Sequence, residues 1–586
     1  SITSVETLTQ GTTNAANTIT LGSLADASGL ATITGNGTGV DTVTVGAGFD
    51  NALTINVATG NDQIDASASA AAITIAAAAS SITTNDTLKG GTGSSDTITL
   101  TAGSDTAKLG ASVTGFETVT VVAATTNDIK ITTSDENATT SQALTVDASA
   151  LTNTAAALTF TSSENSTATI NVTGGAGADS LTAGTETSNY SGGGGIDTFS
   201  FSDTRLTSAD TIAGGDGVDI LSISDASTVV DADFTSITSV ETLTQGTTNA
   251  ANTITLGSLA DASGLATITG NGSGVDTVTV GAGFDNALTI NVLTGNDVID
   301  GSASAAAINV AAAAASITTN DTLKGGTGSS DTITLTAGSD TANLGASVTG
   351  FETVTIAAAT TNTVKLTTKN ENATSSQALT VDASALTSTA ATFTFESGET
   401  GTGESQATVN VTGGAGADSI TGGTEKSNFI GGGGADTFTF ADTSLTSNDT
   451  VSGGDGADIL TISDASTVVD ADFTSITSIN TITNGAAATI TLGSLADASG
   501  IASITGAASA VDTITVGAGF DNALSININA GNDKIDASAS AAAITIVANQ
   551  TEITASDTLK GGTGSSDTIQ LTASSVETAT FGASFT

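Results

Sequence analysis

The segments GGAGADSLT at 174–182, GGGGIDTFS at 192–200 and GGDGVDILS at 214–222 decide the fold of this chain. Each fits the pattern G-G-x-G-x-D-x-U-x without a mismatch, where U is a large apolar residue. The pattern returns at 413–421, 431–439 and 453–461. Six complete matches are a much stronger signal than one glycine-rich loop, and tandem nonapeptides of this form are typical of parallel β-rolls.

Each nonapeptide combines a turn with a short strand. Glycines permit the positive φ angles and the close backbone approaches that the turn G-G-x-G-x-D requires. In the strand x-U-x, the apolar residue points inward while its small polar neighbours point outward. One nonapeptide therefore predicts half of a coil, a coil being one complete turn of the chain around a solenoid axis.

The spacing of the aspartates predicts that they stack on one another. Asp179 and Asp197 are 18 residues apart, which is two nonapeptides and hence one coil. Stacked carboxylates repel each other unless a cation lies between them, and Ca²⁺ takes about six to eight oxygen ligands from carboxylates and backbone carbonyls. We therefore expect calcium at this edge. The alternative interpretation is a glycine-rich turn that needs no metal.

The intervening nonapeptides predict a different second edge. Residues 183–191 keep the length of the motif but have Ser188 at the aspartate position, and residues 422–430 have Ser427 there. The sequence thus predicts calcium at one edge of the roll and none at the other.

Looser forms of the acidic turn occur earlier in each repeat. The segment KGGTGSSDTITL places Asp96 after a glycine-rich turn, and related segments do the same for Asp331 and Asp567. For these three aspartates, a calcium ligand and a plain solvent-facing turn residue are equally open interpretations.

Composition narrows the classes of function. The 586 residues include 10 Lys and Arg against 59 Asp and Glu, a net charge of −49. Phosphate binding requires the opposite sign, which excludes nucleic acid as a partner. The chain has no His and no Cys, so the usual general base and the thiol nucleophile of enzymes are missing. Bound cations would neutralise part of the charge, and folding would then depend on calcium.

The chain is a long array of repeats. Residues 1–37 recur letter for letter at 236–272, and an altered copy begins at Ser475. We therefore divide the sequence into a first repeat, a second repeat and a partial third repeat. These are residues 1–235 with a β-roll at 174–223, residues 236–474 with a β-roll at 413–462, and residues 475–586.

Between the turns, strictly alternating segments such as TVTV, LTINV and DTITLTA are typical of strands. The predicted fold class is all-β, namely a parallel β-solenoid or calcium β-roll repeat array. The alternative is a series of β-sandwich repeats joined by short β-rolls, and it is strongest for 109–172, which contains no nonapeptide. No apolar run approaches the roughly 18 residues of a transmembrane helix.

The order of motifs resembles bacterial surface-layer proteins of the RTX (repeat-in-toxin) type, and is similar to the stalks of large RTX adhesins. Besides the nonapeptides, this resemblance rests on the segments GFETVTV at 115–121, GFETVTI at 350–356 and LTVDASALT at 144–152. The resemblance implies type I secretion, folding in extracellular calcium, and assembly at the cell surface. It also implies calcium ligation by the motif aspartates, with neighbouring glycine carbonyls completing each shell. These residues are Asp179, Asp197, Asp219, Asp418, Asp436 and Asp458, with Gly174, Gly192, Gly214, Gly413, Gly431 and Gly453.

We expect a secreted, extracellular structural protein that self-assembles into a calcium-stabilised surface layer, sheath or filament. Identical chains are the expected partners, with cell-surface polysaccharide as a candidate second partner. The alternative function is the stalk of a large RTX adhesin that mediates surface attachment or biofilm formation. We expect no enzymatic activity, because the acidic pairs repeat with every unit whereas a catalytic site is normally unique.

Overall fold

The computed structural model describes the chain except for residues 1–2, 12–14, 36, 102, 104, 123–127, 203–204, 225–227, 247–250, 271, 337, 339, 359–362, 399–406, 442–443, 466, 573–578 and 580–581. It divides into two compact units, residues 1–289 and 290–586. Each unit is a parallel β-solenoid, and about 24 turns are formed in total. The division falls within the strand Leu288–Asn291.

The strands of the first unit belong to four sheets. The first contains Thr7–Thr9, Thr32–Thr34, Leu53–Asn56, Ile73–Ala78, Thr97–Thr101, Thr118–Val122, Leu144–Asp147, Thr169–Thr173, Thr187–Gly194, Thr211–Asp216 and Ile237–Thr238. The second contains Thr106–Lys108, Ile129–Thr132, Leu158–Thr161, Ser180–Thr182, Thr198–Phe201, Ile220–Ile223, Thr242–Gln245 and Thr267–Thr269. The third contains Asn17–Leu21, Asp41–Val45, Gln63–Asp65, Thr87–Lys89 and Val113–Thr114, and the fourth Thr228–Val229, Asn252–Leu256 and Asp276–Val280.

The second unit is built in the same way. One sheet contains Ile308–Ala313, Thr332–Thr336, Thr353–Ile356, Leu379–Asp382, Thr408–Thr412, Lys426–Gly433, Thr450–Asp455 and Ile476–Thr477. A second contains Thr341–Asn343, Thr363–Thr367, Thr392–Glu396, Ser419–Thr421, Thr437–Phe440, Ile459–Ile462, Thr481–Asn484, Ser503–Thr505, Leu524–Asn527, Ile544–Asn549 and Thr568–Thr572. Two shorter sheets contain Val298–Asp300, Thr322–Lys324 and Val348–Thr349, and Thr467–Val468, Thr489–Leu492, Thr513–Val516, Lys534–Asp536 and Thr558–Lys560.

Helices are short and lie at corners of the coils. The α-helices are Ser23–Asp26, Ser258–Ala262 and Ser494–Ala498, and the 3₁₀ helices are Ala79–Ser81, Asp231–Phe234, Ala314–Ser316 and Asp470–Phe473.

The core is a stack of apolar side chains, one above another in successive coils. In the strand Thr198–Phe201, both phenylalanines are buried while Thr198 and Ser200 face outward. The parallel register places Phe199 between Leu181 of the preceding coil and Leu221 of the next. Period-two alternation therefore fills the interior, at about 1.5–3 kcal/mol for each large apolar side chain removed from water.

The predicted β-solenoid is confirmed, and the β-sandwich alternative is wrong. Even in the stretch without nonapeptides, the strand Ile129–Thr132 pairs in parallel with Leu158–Thr161. The stretch stays in the solenoid because its apolar residues alternate and stack in the same register as those of the neighbouring coils. The coils are not uniform, however. Corner residues 18 residues apart are joined at Asp179 and Asp197, whereas Asp62 and Asp86 are 24 apart.

Corresponding strands of successive sequence repeats lie in different sheets. The segment TLT at Thr7–Thr9 lies in the first sheet of the first unit, whereas its copy in Thr242–Gln245 lies in the second sheet. One sequence repeat therefore contains a half-integral number of coils. The repeat boundaries after residues 235 and 474 remain a division of the sequence, distinct from the structural division after residue 289.

We expect Phe199→Ala to lower the free energy of unfolding by about 3–5 kcal/mol, because it opens a cavity in the stack. Chemical denaturation followed by circular dichroism measures the change. The control is Ile196→Ala in the adjoining turn, since Ile196 is 54% exposed. Equal losses in the two variants would contradict the stacked core.

Candidate metal centre

The motif aspartates lie at equivalent corners of successive coils, immediately before the strands x-U-x. In the first unit this corner, which we call the nonapeptide edge, joins the first sheet to the second. All six aspartates are at most 2% exposed. They are Asp179, Asp197 and Asp219 in the first unit, and Asp418, Asp436 and Asp458 in the second.

The predicted stacking of the aspartates is confirmed by a ladder of hydrogen bonds. The backbone N–H of Asp179 donates to Asp197 Oδ1 at 2.7 Å, and that of Asp197 donates to Asp219 Oδ1 at 2.8 Å. In the second unit, Asp418 N donates to Asp436 Oδ1 at 2.8 Å and Asp436 N to Asp458 Oδ1 at 2.9 Å. One oxygen of each carboxylate is therefore held by a backbone amide of the preceding coil.

The two ladders end differently. Asp219 N donates to Glu241 Oε2 at 2.8 Å, whereas Asp458 N donates to Asn480 Oδ1 at 2.7 Å. A neutral amide can therefore serve as the acceptor in this geometry as well as a carboxylate does. Hydrogen bonding alone does not require a charge at these corners.

The second carboxylate oxygen separates two kinds of motif. Asp179 Oδ2 accepts the N–H of Gly175, and Asp418 Oδ2 accepts that of Gly414, each at 2.6 Å. In the other four motifs, the buried Oδ2 has no hydrogen-bond partner among the described residues; these oxygens belong to Asp197, Asp219, Asp436 and Asp458.

Backbone conformation separates the same two kinds of motif. The second glycine has a positive φ in the four motifs with unsatisfied oxygens, for example +105° at Gly193 and +114° at Gly215. Gly175 and Gly414 do not have a positive φ. This left-handed conformation, which glycine adopts without strain, occurs in the same four motifs that lack an N–H donor to Oδ2. An unpaired buried carboxylate oxygen is costly unless a cation or a proton compensates it.

The first glycine of each motif provides the space for the aspartate. A Cβ atom built at Gly192 would overlap the carboxylate of Asp197, and one at Gly214 would overlap that of Asp219. The same holds for the other four motifs, at Gly174, Gly413, Gly431 and Gly453. Calcium ligation by these glycine carbonyls stays a prediction, but the requirement for glycine has a steric cause that needs no metal.

The loops of consecutive motifs stack closely through their backbones. Gly193 pairs with Gly215 in parallel register, and a Cβ atom at Gly215 would overlap the carbonyl oxygen of Gly193. Backbone carbonyls therefore point along the stack, between one loop and the next. Together with the unsatisfied Oδ2 atoms of Asp197 and Asp219, they are the oxygen donors that could hold Ca²⁺ at this edge.

Burial changes the protonation of the ladder. Loss of solvation raises the pKa of Asp197 to about 7, and the charges of Asp179 and Asp219 add to the effect. The pKa of Asp436 is also raised to about 7, and that of Asp179 to about 6, chiefly by burial. At neutral pH the central carboxylates therefore need a proton or a cation as counter-charge.

The looser turns place their aspartates differently from the motif ladder. Asp96 Oδ1 accepts the N–H of Ile73 at 2.8 Å, and its Oδ2 accepts that of Gly91 at 2.7 Å. Asp331 and Asp567 have the same pair of backbone donors, at 2.7 to 3.0 Å. Both oxygens are thus hydrogen-bonded by the protein itself. Calcium binding at these three aspartates stays a prediction, with a hydrogen-bonding role now visible beside it.

Within the described part of the chain, no three acidic, His or Cys side chains converge on one point. The edge instead offers one carboxylate per coil, with backbone carbonyls between them. Oxygen donors of this kind suit Ca²⁺, which accepts carbonyls readily. The four unsatisfied oxygens fit such an ion on chemical grounds.

The opposite edge contains acidic residues that the motif did not predict. Ser188 and Ser427 are fully buried at the aspartate position, as the nonapeptide register requires. Two residues before them, Glu186 and Glu425 are also buried, at 4% and 3% exposed. The only signal in the sequence is that both glutamates follow a glycine by two positions, which is too weak to identify them.

Comparison with protein-family models, curated proteins and solved structures finds no match to this chain. Among the described residues, no helix is long and apolar enough to cross a membrane.

Gly192→Ala is expected to destabilise the protein by about 1–3 kcal/mol, because the added methyl group overlaps the Asp197 carboxylate. Gly194→Ala, in the same loop, is the matched control. Its Cβ would meet only Ala176 atoms at 3.7 and 3.9 Å. Thermal unfolding compares the two variants, and similar melting temperatures would count against the inward-folded carboxylate.

Stability in the presence of a chelator should fall as the pH rises from about 4 to about 7. The folded state holds protons on Asp197 and Asp436 up to a pKa of about 7, whereas the ordinary value is 3.8. Between these two pKa values the folded protein binds more protons than the unfolded protein. The free energy of unfolding therefore decreases as the pH rises. Denaturant midpoints at several pH values measure it, and replacing both aspartates by Asn should flatten the slope. A rise over the same window would overturn the assignment.

Proposed function

We propose that the chain is an extracellular structural protein whose nonapeptide edge binds Ca²⁺, and which self-assembles into a surface layer, sheath or filament of the RTX type. One observation carries the proposal, namely four buried aspartate oxygens without a hydrogen-bond partner, on stacked glycine-rich loops. The β-solenoid repeat fold is compatible with this structural role. Secretion by the type I route and location at the cell surface are parts of the proposal.

In this proposal the ion supplies the positive charge that the ladder lacks. Asp197 and Asp219 would bind it through Oδ2 in the first unit, and Asp436 and Asp458 in the second. The backbone amides already hold every Oδ1 in place, so the chain positions the carboxylates before any ion arrives. Calcium binding to the folded state alone would stabilise that state by mass action, and would couple folding to the extracellular calcium concentration.

Net charge links calcium to assembly. A chain of charge −49 repels its copies at neutral pH, and this repulsion is screened or neutralised only by cations. We therefore expect identical chains to associate when calcium is bound. Cell-surface polysaccharide is a second candidate partner, and catalysis is not part of the proposal.

The stalk of a large RTX adhesin is the second candidate function. The same nonapeptide motif recurs in both units, as the repeated spacer of a stalk would require. A stalk differs from a lattice protein in one measurable respect, because it needs no lateral association between copies.

The decisive variant replaces Asp197, Asp219, Asp436 and Asp458 by Asn. Asn keeps an oxygen for the amide of the preceding coil, as Asn480 does, but removes the charge. At pH 8 in chelator, we expect the variant to be more stable than the unaltered chain, since buried charge has been removed. In calcium we expect the order of stability to reverse.

Isothermal titration calorimetry measures calcium uptake, and circular dichroism measures thermal unfolding in both conditions. Asp300→Asn serves as the control, because Asp300 pairs with Lys324 at 2.8 Å and is not among the predicted calcium ligands. Unchanged calcium uptake by the four-site variant would overturn the assignment of the metal centre.

Assembly is tested by light scattering and electron microscopy of the unaltered chain in calcium, magnesium and chelator. We expect ordered arrays or filaments in calcium, because the ion removes the repulsion between chains. Magnesium is the matched control, since Mg²⁺ demands a strict octahedral geometry that stacked carbonyls do not offer. A folded, calcium-loaded protein that stays monomeric would favour the stalk.

A further inference from the structure

The edge opposite the nonapeptide edge contains its own column of buried acids. Glu164, Glu186 and Asp210 lie at this edge on three successive coils, and they are 1%, 4% and 1% exposed. Carboxylates are rarely buried so completely without a partner. Each therefore needs hydrogen bonds, a proton or a cation to compensate its charge.

Asp210 is fully accounted for by hydrogen bonds. Its Oδ1 accepts the N–H of Ser188 at 2.8 Å, and its Oδ2 accepts the N–H and the hydroxyl of Thr207 at 2.8 and 3.0 Å. Asp210 therefore stabilises its own turn and binds the strand of the preceding coil. Both of its oxygens are hydrogen-bonded, so its role is structural.

Glu186 is satisfied on one side only. Its Oε1 accepts the hydroxyl of Tyr190 at 2.8 Å and the N–H of Gly184 at 3.1 Å. Its Oε2 is buried and has no hydrogen-bond partner among the described residues. Burial, with the charge of Glu186, keeps the pKa of Tyr190 above its ordinary value, so the tyrosine hydroxyl remains a donor.

Glu164, one coil earlier, shows the same asymmetry. Its Oε1 accepts a long hydrogen bond from Ala138 N at 3.3 Å, and its Oε2 has no partner within the described structure. Loss of solvation raises the pKa of Glu164 to about 7, and the charges of Asp135 and Glu186 contribute. Two buried carboxylates on neighbouring coils thus each present an unsatisfied oxygen.

Further oxygen atoms lie close to Glu186 Oε2. A Cβ atom built at Gly184 would lie 2.6 Å from the carbonyl oxygen of Glu164 and 2.9 Å from Ser162 Oγ, and it would overlap Glu186 Oε2. Gly184 therefore packs directly against a carboxylate, a carbonyl and a hydroxyl, and a larger residue at position 184 would overlap them. The carbonyl of Glu164 already accepts the N–H and the hydroxyl of Thr185, at 2.8 and 3.1 Å. Hard divalent cations such as Ca²⁺ prefer this all-oxygen donor set.

The protein supplies little positive charge of its own here. The guanidinium of Arg205 donates from Nη1 to the carbonyl of Ala183 at 3.3 Å, and the four ion pairs of the described structure are all formed by lysines elsewhere. In the second unit, Ser444 stands in the place of Arg205, yet Glu425 is still buried with an unsatisfied Oε2. The buried glutamate therefore does not depend on the arginine.

We propose that Glu164 and Glu186 bind a calcium-type divalent cation through their unsatisfied oxygens at the edge opposite the nonapeptides, with the Ser162 hydroxyl as a further ligand. This site uses no residue of the nonapeptide edge and is independent of the function proposed above. It would place cations on both edges of the roll, so that ions clamp consecutive coils from two sides.

Tyr190 makes the site accessible to a specific measurement. It is the single tyrosine of a chain without tryptophan, and its hydroxyl contacts Glu186. Terbium(III), a hard oxygen-seeking ion, replaces calcium in proteins and emits when a nearby tyrosine is excited. We expect terbium emission on tyrosine excitation of the full chain, and we expect added Ca²⁺ to displace it.

Matched variants assign the emission to one edge. Glu186→Gln, and separately Glu164→Gln, should abolish the sensitised emission, while Asp197→Asn with Asp219→Asn should retain most of it. Absence of emission from the unaltered chain would overturn the proposal, as would emission that survives both glutamate variants. Emission lost only in the aspartate variant would place the ion at the nonapeptide edge alone, and would also overturn it.

Folding of the variants is checked by circular dichroism before each titration. Should the glutamate variants fail to fold, Ser162→Ala removes one ligand and leaves the carboxylates intact. We expect it to weaken terbium affinity by about tenfold, comparable with the loss of other supporting groups at metal sites. Unchanged affinity would contradict the ligand set. Calcium uptake that survives the aspartate substitutions but not Glu186→Gln would refute the nonapeptide centre and leave this site standing.

Discussion

The structure depends on burying a carboxylate at the corners of its coils. A coil with so short a path must turn sharply, and the turn leaves a backbone N–H of the preceding coil without a strand partner. An aspartate folded back over glycine accepts that N–H, and it does so again in the next coil. The ladder satisfies the backbone but collects negative charge in a region from which water is excluded. Hydrogen bonds and charge therefore impose opposite demands on the same side chains.

The two demands are met differently along the chain. At Asp96, two amides satisfy both oxygens, and a second glycine with an ordinary φ provides the additional donor. At Asp197, where Gly193 has a positive φ, the loops stack closely and one oxygen is unsatisfied. The loop of Asp179 stacks closely on that of Asp197 as well, yet both oxygens of Asp179 are hydrogen-bonded. At Asp197 a cation resolves the conflict, because it neutralises the charge without requiring an N–H donor.

Much of the fold follows from the sequence. Alternation in segments such as Thr198–Phe201 dictates which side chains fill the interior, and the 18-residue spacing dictates the stacking of Asp179 and Asp197. Coil length outside the nonapeptides could not be predicted, because corners of variable length leave the strand register unchanged. The unsatisfied Oδ2 atoms could not be predicted either, since they go together with the positive φ of one glycine in each motif. Glu164 and Glu186 lie outside any motif, and only the stacking of coils brings them together.

We expect the carboxylates of Asp197 and Asp436 to hold protons until calcium replaces them. Calorimetric titration with calcium at pH 6.5, in two buffers of different ionisation enthalpy, counts the protons released on binding. The pKa of about 7 at Asp197 and Asp436 predicts release of protons with each binding step, and a smaller release in the variant with Asn at both positions. Calcium binding without proton release, or the absence of binding, would contradict this exchange of protons for calcium.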